Sequence, residues 1–334
     1  MTHPEISIVI PCLNEEKNIQ QLLEAILRQT VALDKLEVII SDGNSEDKTR
    51  QIISVFSKCH PELKIQVIDN SVRRIPAGLN QAIRTAKGKI ITRMDAHAIP
   101  APDYVKLNVQ ALESGCGDNV GGVIDVKPGA DTWIGRSISV ATAHPLGVGD
   151  AKYRWTNKAG EADTVAFGTY YKSTVEDVGY YNEELRANED YEFNSRLRAR
   201  GGKIWIDPAI RAIYFSRPTL GSLAKQYFFY GYWKLRMLRL YPKTLRWRQA
   251  LPPIFVLGVL MLLLLAGFIP LAAYLLLFGL GFYVLVLFSA ATQKAWQRSD
   301  ATLIVGIPLA IATMHICWGS GFLWSLLTPD KRGN

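Results

Sequence analysis

The chain has 334 residues, with 38 Lys and Arg against 30 Asp and Glu and a formal net charge of +8. That length accommodates one large α/β domain and additional material, and the four scattered cysteines, Cys12, Cys59, Cys116 and Cys317, exclude a disulfide-built scaffold and fit a reducing compartment. No RNA- or DNA-binding module accompanies the positive charge, which gathers beside an apolar C-terminal region, so nucleic acid is excluded as a partner and anionic lipid headgroups are expected.

Ile6-Ser-Ile-Val-Ile-Pro11 predicts a short strand ended by proline, and Glu15 to Arg28 predicts a helix whose apolar face is Ile19, Leu22, Leu23 and Ile26. Leu36-Glu-Val-Ile-Ile40 predicts a second strand running into Ser41-Asp42-Gly43-Asn44, followed by a helix from about Ser45 to Lys58 and a strand over Lys64–Ile68. A later strand, Gly88-Lys-Ile-Ile-Thr-Arg-Met94, ends at Asp95-Ala-His97. Strands alternating with helices imply a parallel sheet of βαβ units, whose ligand crevice lies beyond the carboxyl ends of the strands. Glu15, Asp42 and Asp95 all fall there. Each also has an ordinary reading: Asn14 and Glu15 as helix N-terminal residues, Asp42-Gly43 as a turn, Asp95 as a cap. Taken together they provide acceptors for a nucleotide's base and ribose, while Asp95 and His97 can converge on one divalent cation that neutralises a diphosphate.

Thr164-Val-Ala-Phe-Gly168-Thr-Tyr-Tyr171 reads as a strand in which Gly168 allows close backbone approach to a sugar. Glu189 and Asp190 open a helix, Tyr191 to Arg200, that stops at Gly201-Gly202, and a helix N-terminus by itself favours acidic residues. Leu220 to Leu240 interleaves Tyr227, Phe228, Phe229, Tyr230, Tyr232 and Trp233 with Lys225, Lys234, Arg236 and Arg239, the mixture of an interfacial amphipathic helix ended by Pro242. Lys243, Arg246 and Arg248 carry the positive charge onward. Leu251 to Ala291 is essentially uncharged and about twice the ~20 residues that cross a bilayer, so it reads as two spans broken near Gly267–Pro270; Ala301 to Leu327 contains no Lys, Arg, Asp or Glu. The expected spans are 252–268, 271–290 and 303–327, with His315 and Cys317 as packing residues of the third. No signal-peptide pattern precedes Ile6, and Lys294 and Arg298 lie between the second and third spans, which places the front domain in the cytosol; three spans leave Lys331-Arg332 outside, against the charge rule.

In order and spacing, Ser7-Ile-Val-Ile-Pro11 with Asn14-Glu15-Glu16, Glu37-Val-Ile-Ile-Ser-Asp42-Gly-Asn-Ser-Glu-Asp47, Ala77-Gly-Leu-Asn80 with Ala86-Lys-Gly88, Arg93-Met-Asp95-Ala-His97 and Asn188-Glu-Asp190-Tyr-Glu-Phe-Asn-Ser-Arg196 resemble the inverting family 2 glycosyltransferases of the GT-A fold over roughly residues 5 to 215. The stretch Arg-Met-Asp-Ala-His-Ala, with Gly147 to Arg154, resembles most the succinoglycan-type transferases that extend lipid-linked oligosaccharides. The resemblance implies a GT-A domain with a Rossmann-like, mixed and mainly parallel sheet. It assigns Pro11, Asn14, Glu15, Asp42, Asn80 and Asp95 to the nucleotide sugar, Arg73 and Arg74 to its phosphates, and Asp95 and His97 to the cation. The family's usual triplet has Asp at both ends, and the imidazole here favours Mn²⁺ over Mg²⁺. Asp190 matches the general base of a single inverting displacement. Gly168, Glu189, Tyr230, Lys234 and Arg236 become acceptor-region candidates. Gln226-Tyr-Phe-Phe-Tyr230 stands where processive synthases carry Gln-x-x-Arg-Trp, and the missing Arg-Trp pair implies transfer of one sugar.

The expected organisation is a catalytic domain over residues 1–217, interfacial helices over 218–250 and membrane helices over 251–328. The expected function is transfer of one hexose, glucose by preference, from a UDP-sugar to a polyprenyl-diphosphate-linked saccharide in exopolysaccharide or cell-surface glycan assembly, at the cytosolic face of a bacterial inner membrane. A polyprenyl-phosphate transferase and a catalytically silent assembly scaffold are the alternatives.

Overall fold

A computed structural model describes residues 4–328. Its first part alternates β1 (Ile6–Cys12), α1 (Ile19–Leu27), β2 (Leu36–Asp42), α2 (Thr49–Cys59), β3 (Lys64–Asp69), α3 (Ile75–Thr85) and β4 (Ile90–Arg93). There follow β5 (Ala98–Pro100), α4 (Tyr104–Glu113), β6 (Asn119–Lys127), α5 (Trp133–Ala141), α6 (Pro145–Val148), β7 (Gly160–Glu161), β8 (Ala166–Tyr171), α7 (Lys172–Val178), α8 (Glu189–Ala199) and β9 (Ile204–Phe215). The last helices are α9 (Leu220–Leu240), α10 (Trp247–Ala266), α11 (Pro270–Arg298) and α12 (Leu303–Leu327).

Among the described residues one mixed sheet runs β3-β2-β1-β4-β8-β6-β9-β5, with β7 paired to β9. The β3, β2, β1 and β4 strands are parallel neighbours, whereas β8 runs antiparallel to both β4 and β6. Every residue of β1 except Pro11 is buried, as is all of β2, the pattern of strands covered on both faces. α3 packs on β1 and β2, and Val9, Ile39, Leu79, Ile83 and Ile91 share one core. The β1–β2 pairing continues to Cys12↔Asp42, but the β1–β4 pairing stops at Val9↔Arg93. Beyond that point β1 and β4 diverge, and Pro11, which has no N–H to offer a ladder, lies where no β4 partner remains.

Two expected helices begin late. α1 starts at Ile19 rather than Glu15, because Asn14 takes a left-handed conformation (φ 55°) and the N–H groups of Asn14, Glu15 and Glu16 donate to Ser45, Thr49 and Asp47. α2 starts at Thr49 rather than Ser45, since the intervening loop is committed to those same contacts.

The chain divides into two compact units, one formed by residues up to Asp125 with Ala151–Tyr214, the other by Val126–Asp150 with the chain from Phe215 onward. The first unit is therefore discontinuous, where the sequence suggested an unbroken domain to residue 217. In the second unit α12 is central, packing on α5, α9, α10 and α11. Glycines make this possible: a Cβ on Gly231 would collide with the Trp318 carbonyl, and one on Gly321 with the Phe228 carbonyl, so α9 and α12 cross backbone against backbone. α10, α11 and α12 are each long and apolar enough to cross a membrane. α11 runs through Lys294 to Arg298, so those two charges lie on the helix rather than in a connection. His315 is not simply packed: its Nδ1 lies 3.0 Å from the Tyr283 hydroxyl and its Nε2 2.9 Å from the Leu146 carbonyl, joining α12 to α11 and α6. With Nε2–H donating to the carbonyl, Nδ1 accepts from Tyr283. Lys331 and Arg332 lie outside the described residues.

Candidate active site

In the first unit, the loops after β1, β2 and β4 carry the polar residues that the crevice needs. Asp42, at the last position of β2, is fully buried and accepts from Ser45 N (3.0 Å), Ser45 Oγ (2.5 Å) and Arg50 Nε (2.5 Å). Arg50 also reaches Asp69 at 2.5 Å from the end of β3. Asp69 first and Asp42 second hold the Arg50 guanidinium more firmly protonated than usual. Asn14 stays close by, its side chain accepting from Glu46 N at 2.9 Å.

Just past β4, Asp95 accepts at Oδ1 from Arg93 Nε and Nη2, both at 3.3 Å, and its Oδ2 has no hydrogen-bond partner among the described residues. His97 Nδ1 lies 3.1 Å from Glu15 Oε1, while Glu15 Oε2 accepts from Asn18 at 2.7 Å. Glu15, expected to contact the nucleotide, faces the imidazole with its carboxylate. Donation from Nδ1 to Glu15 leaves Nε2 with the lone pair, the arrangement in which an outer carboxylate fixes the tautomer of a metal-ligating histidine. Among the described residues no group of three or more His, Cys, Asp or Glu is gathered to hold an ion alone. Asp95 and His97 supply a carboxylate oxygen and an imidazole nitrogen, donor types that a divalent cation accepts.

Opposite stands the N-terminus of α8. Glu189 is buried and paired with Arg93 Nη2 at 2.9 Å. Asp190 is half-buried and accepts only Tyr191 N–H, at 2.7 Å to Oδ1. Burial, and then the Glu189 carboxylate, push its pKa up to about 6 against the opposing effect of Arg93. Burial disfavours the charge on Arg93, but Asp95 and Glu189 more than offset this and hold it protonated.

Several expected site residues make contacts within the protein. Asn80 is buried with both side-chain ends committed to the 181–183 loop, Nδ2 to Tyr181 O (2.9 Å) and Glu183 Oε1 (2.7 Å), Oδ1 to Tyr181 N (2.9 Å); it clamps a loop rather than a nucleotide. The space beside Gly168 is filled by the Asn119 side chain, so the close approach it permits is internal rather than to a sugar. Glu189 is an ion-pair partner rather than an acceptor contact. Arg73 pairs with Glu46 at 3.1 Å and Arg74 donates to Glu183 O at 3.2 Å, both on the loop after β3. Tyr230, Lys234 and Arg236 belong to the second unit. There Lys234 is fully buried and donates to Thr244 O at 3.2 Å, which removes it as an exposed acceptor contact. Tyr230 accepts from Gln226 (3.0 Å), and Arg236 donates to Tyr232 (2.6 Å) with its guanidinium over the Tyr232 ring.

Sequence patterns alone give Arg93 and Arg50 no role. Arg93 was detectable, as a charge inside the apolar run Ile90-Ile-Thr-Arg93, since an arginine in a covered strand is rarely buried without partners. Arg50 lies on an ordinary exposed helix turn, and no local signal distinguishes it.

A dolichyl N-acetyl-α-D-glucosaminyl phosphate 3-β-D-2,3-diacetamido-2,3-dideoxy-β-D-glucuronosyltransferase of Methanococcus voltae is 26% identical over 98% of this chain and 98% of its own length. Succinoglycan biosynthesis protein ExoA of Rhizobium meliloti is 28% identical over 99% and 98% respectively. Among solved structures, the mannosyltransferase PcManGT of Pyrobaculum calidifontis, in complex with GDP-Man and Mn²⁺, superposes with a TM-score of 0.65 at 19% identity, over 93% of this chain and 87% of that one, a likeness of fold. The family model for glycosyl transferase family 2 matches residues 7–179, just over half of the chain. That match, together with the mixed GT-A-like sheet, establishes the chain as a member of glycosyltransferase family 2.

Proposed function

We propose that the protein transfers a single hexose, glucose by preference, from a UDP-sugar to a polyprenyl-diphosphate-linked saccharide, with inversion at the anomeric carbon. Asp190 is the general base. The observation that carries this reading is the contrast between two neighbouring carboxylates: Glu189 is tied to Arg93, while Asp190 Oδ2 has no hydrogen-bond partner among the described residues. A base with a pKa near 6 is ionised at neutral pH yet retains enough proton affinity to take a hydroxyl proton as the oxygen attacks. The proton passes from acceptor hydroxyl to Asp190 Oδ2, the new C–O bond forms, and the bond to the nucleoside diphosphate breaks on the opposite face.

A divalent cation, Mn²⁺ or Mg²⁺, would be held by Asp95 and His97 and would stabilise the charge on the departing diphosphate. Glu15 orients His97, Asn14 and Pro11 line the base and ribose side with buried Asp42 holding the loop behind them through Ser45 and Arg50, and Arg73 and Arg74 stand on the phosphate side. A lipid-linked acceptor is supported by full-length similarity to two proteins, one named as a transferase on a dolichyl-linked substrate and one for succinoglycan biosynthesis, and by three helices able to cross a bilayer. Basic α9 would lie at the headgroups of the plasma membrane with the catalytic unit in the cytosol.

The test is release of UDP from UDP-glucose by the detergent-purified chain, with Mn²⁺ and a lipid-linked saccharide extract, comparing wild type with Asp190→Asn. Metal-dependent release abolished by the substitution supports the reading. Tight UDP–Mn²⁺ binding without turnover of any UDP-sugar would overturn it in favour of a silent scaffold.

A further inference from the structure

Glu189 and Asp190 are adjacent carboxylates of the same chemistry, and the contact that sets their surroundings apart comes from β4. The Arg93 side chain is 8% exposed. It spans two acidic positions, Glu189 Oε1 at 2.9 Å and Asp95 Oδ1 at 3.3 Å. Its Nη1 is buried without a hydrogen-bond partner among the described residues, and its Cζ stands 6.0 Å from the centroid of the Tyr181 ring. The guanidinium thus has no solvent escape and one orientation. On the other side, α8 starts at Glu189 from a left-handed Asn188 (φ 64°), so fixing Glu189 also fixes where Asp190 points.

We propose that Arg93 is a positioning residue of the transfer reaction: by binding Glu189 it withdraws that carboxylate from proton transfer and aims Asp190 at the acceptor hydroxyl, and by binding Asp95 it sets the spacing between base and cation motif. This rests on the reading of Asp190 as the base.

The charged and titratable groups facing Asp190 are Glu189 on its own helix, Arg93 and Asp95 at the end of β4, and Tyr181 from the preceding loop. Removing the guanidinium leaves neighbouring carboxylates with no cation between them, so the Glu189–Asp190 pair takes up its first proton at higher pH. Removing the Glu189 charge instead removes the carboxylate beside Asp190 and leaves Arg93 opposed by Asp95 alone, and Asp190 takes its proton at lower pH. A residue that only filled space would move neither.

The experiment compares Arg93→Met, Glu189→Gln and Arg93→Lys with wild type in the full-length, detergent-purified chain. Turnover of UDP-glucose with Mn²⁺ and a lipid-linked saccharide extract is followed across pH. Infrared titration of the protonated-carboxyl band, assigned by its loss in Asp190→Asn, reads the same shift without turnover. The expected result is an acid limb raised by about one to two pH units in Arg93→Met and lowered by a similar amount in Glu189→Gln. Arg93→Lys, which keeps the charge and loses the fork, should titrate close to wild type with kcat down about 10- to 100-fold and KM for UDP-glucose little changed. Shifts absent or of the same sign in the two variants, while Asp190→Asn still abolishes turnover, overturn the role of Arg93 alone. Full turnover by Asp190→Asn overturns the underlying reading. Glu189→Gln is nearly isosteric and keeps the test decisive if Arg93→Met does not fold.

Discussion

Arg93 Nη2 donates to Glu189 Oε1 at 2.9 Å, a pairing of two buried groups 96 residues apart that ties the end of β4 to the first residue of α8. Because both members are withdrawn from solvent, loss of Arg93 strands the Glu189 charge, whereas loss of Glu189 leaves Arg93 paired with Asp95 alone. The pair therefore fixes the relation between the end of β4, just before Asp95-Ala-His97, and the start of α8, where Asp190 lies.

Asp190→Asn should lower kcat by about 10² to 10⁴-fold while leaving UDP–Mn²⁺ affinity nearly unchanged, since a general base contributes in the transition state. Steady-state kinetics with calorimetric UDP binding checks this. Loss of nucleotide binding along with kcat would instead indicate a collapsed site.

Activity should fall as pH drops through about 6, because the working form of Asp190 is the carboxylate and its pKa is raised by burial and by Glu189. The stability contribution runs the other way. A folded-state pKa above the unfolded value means the native state binds the proton more tightly, so this group's penalty is present at neutral pH and is relieved as pH falls through that range. Asp190→Asn should accordingly melt no lower than wild type at neutral pH, a measurement made by scanning calorimetry in detergent.

Asp95→Asn and His97→Ala should each weaken Mn²⁺-dependent UDP binding. Glu15→Gln, which acts only by orienting His97, should cost about 10- to 100-fold in Mn²⁺ affinity and leave metal-free UDP binding unchanged. Electron paramagnetic titration of Mn²⁺ distinguishes these effects, and an unaffected Glu15→Gln would remove its orienting role.

Asp42→Ala should destabilise the first unit by about 1–3 kcal/mol, because Ser45 and Arg50 lose a fully buried acceptor. Arg50 itself is 43% exposed and regains water, so Arg50→Ala should cost less in stability while still loosening the loop after β2. Chemical denaturation of both variants orders them.

In the helical unit, Gly321→Val places a side chain against the Phe228 carbonyl and should cost about 1–3 kcal/mol through overpacking, whereas Gly279→Val meets nothing within 4 Å and should be neutral. Melting temperatures in one detergent provide the comparison.

The order of strands and helices, the three apolar spans and the acidic positions at the strand ends were legible because each is written in a local pattern: alternation, helical periodicity, or uninterrupted apolar length. Tertiary structure decided which partner each polar atom takes. Asn80 meets Tyr181 from 101 residues away, and the N–H of Asn14 meets Ser45 from 31 away, which is why α1 starts late and why an apparent nucleotide contact is a loop clamp. Gly168 yields its space to Asn119, and Val126–Asp150 joins the helical unit, by packing between elements that no local window contains. Burial of apolar faces is nearly additive along the chain and so can be read from it. Hydrogen-bond and ion-pair choices depend on which groups lose water together, and that is settled only when β4 and α8 have been brought face to face.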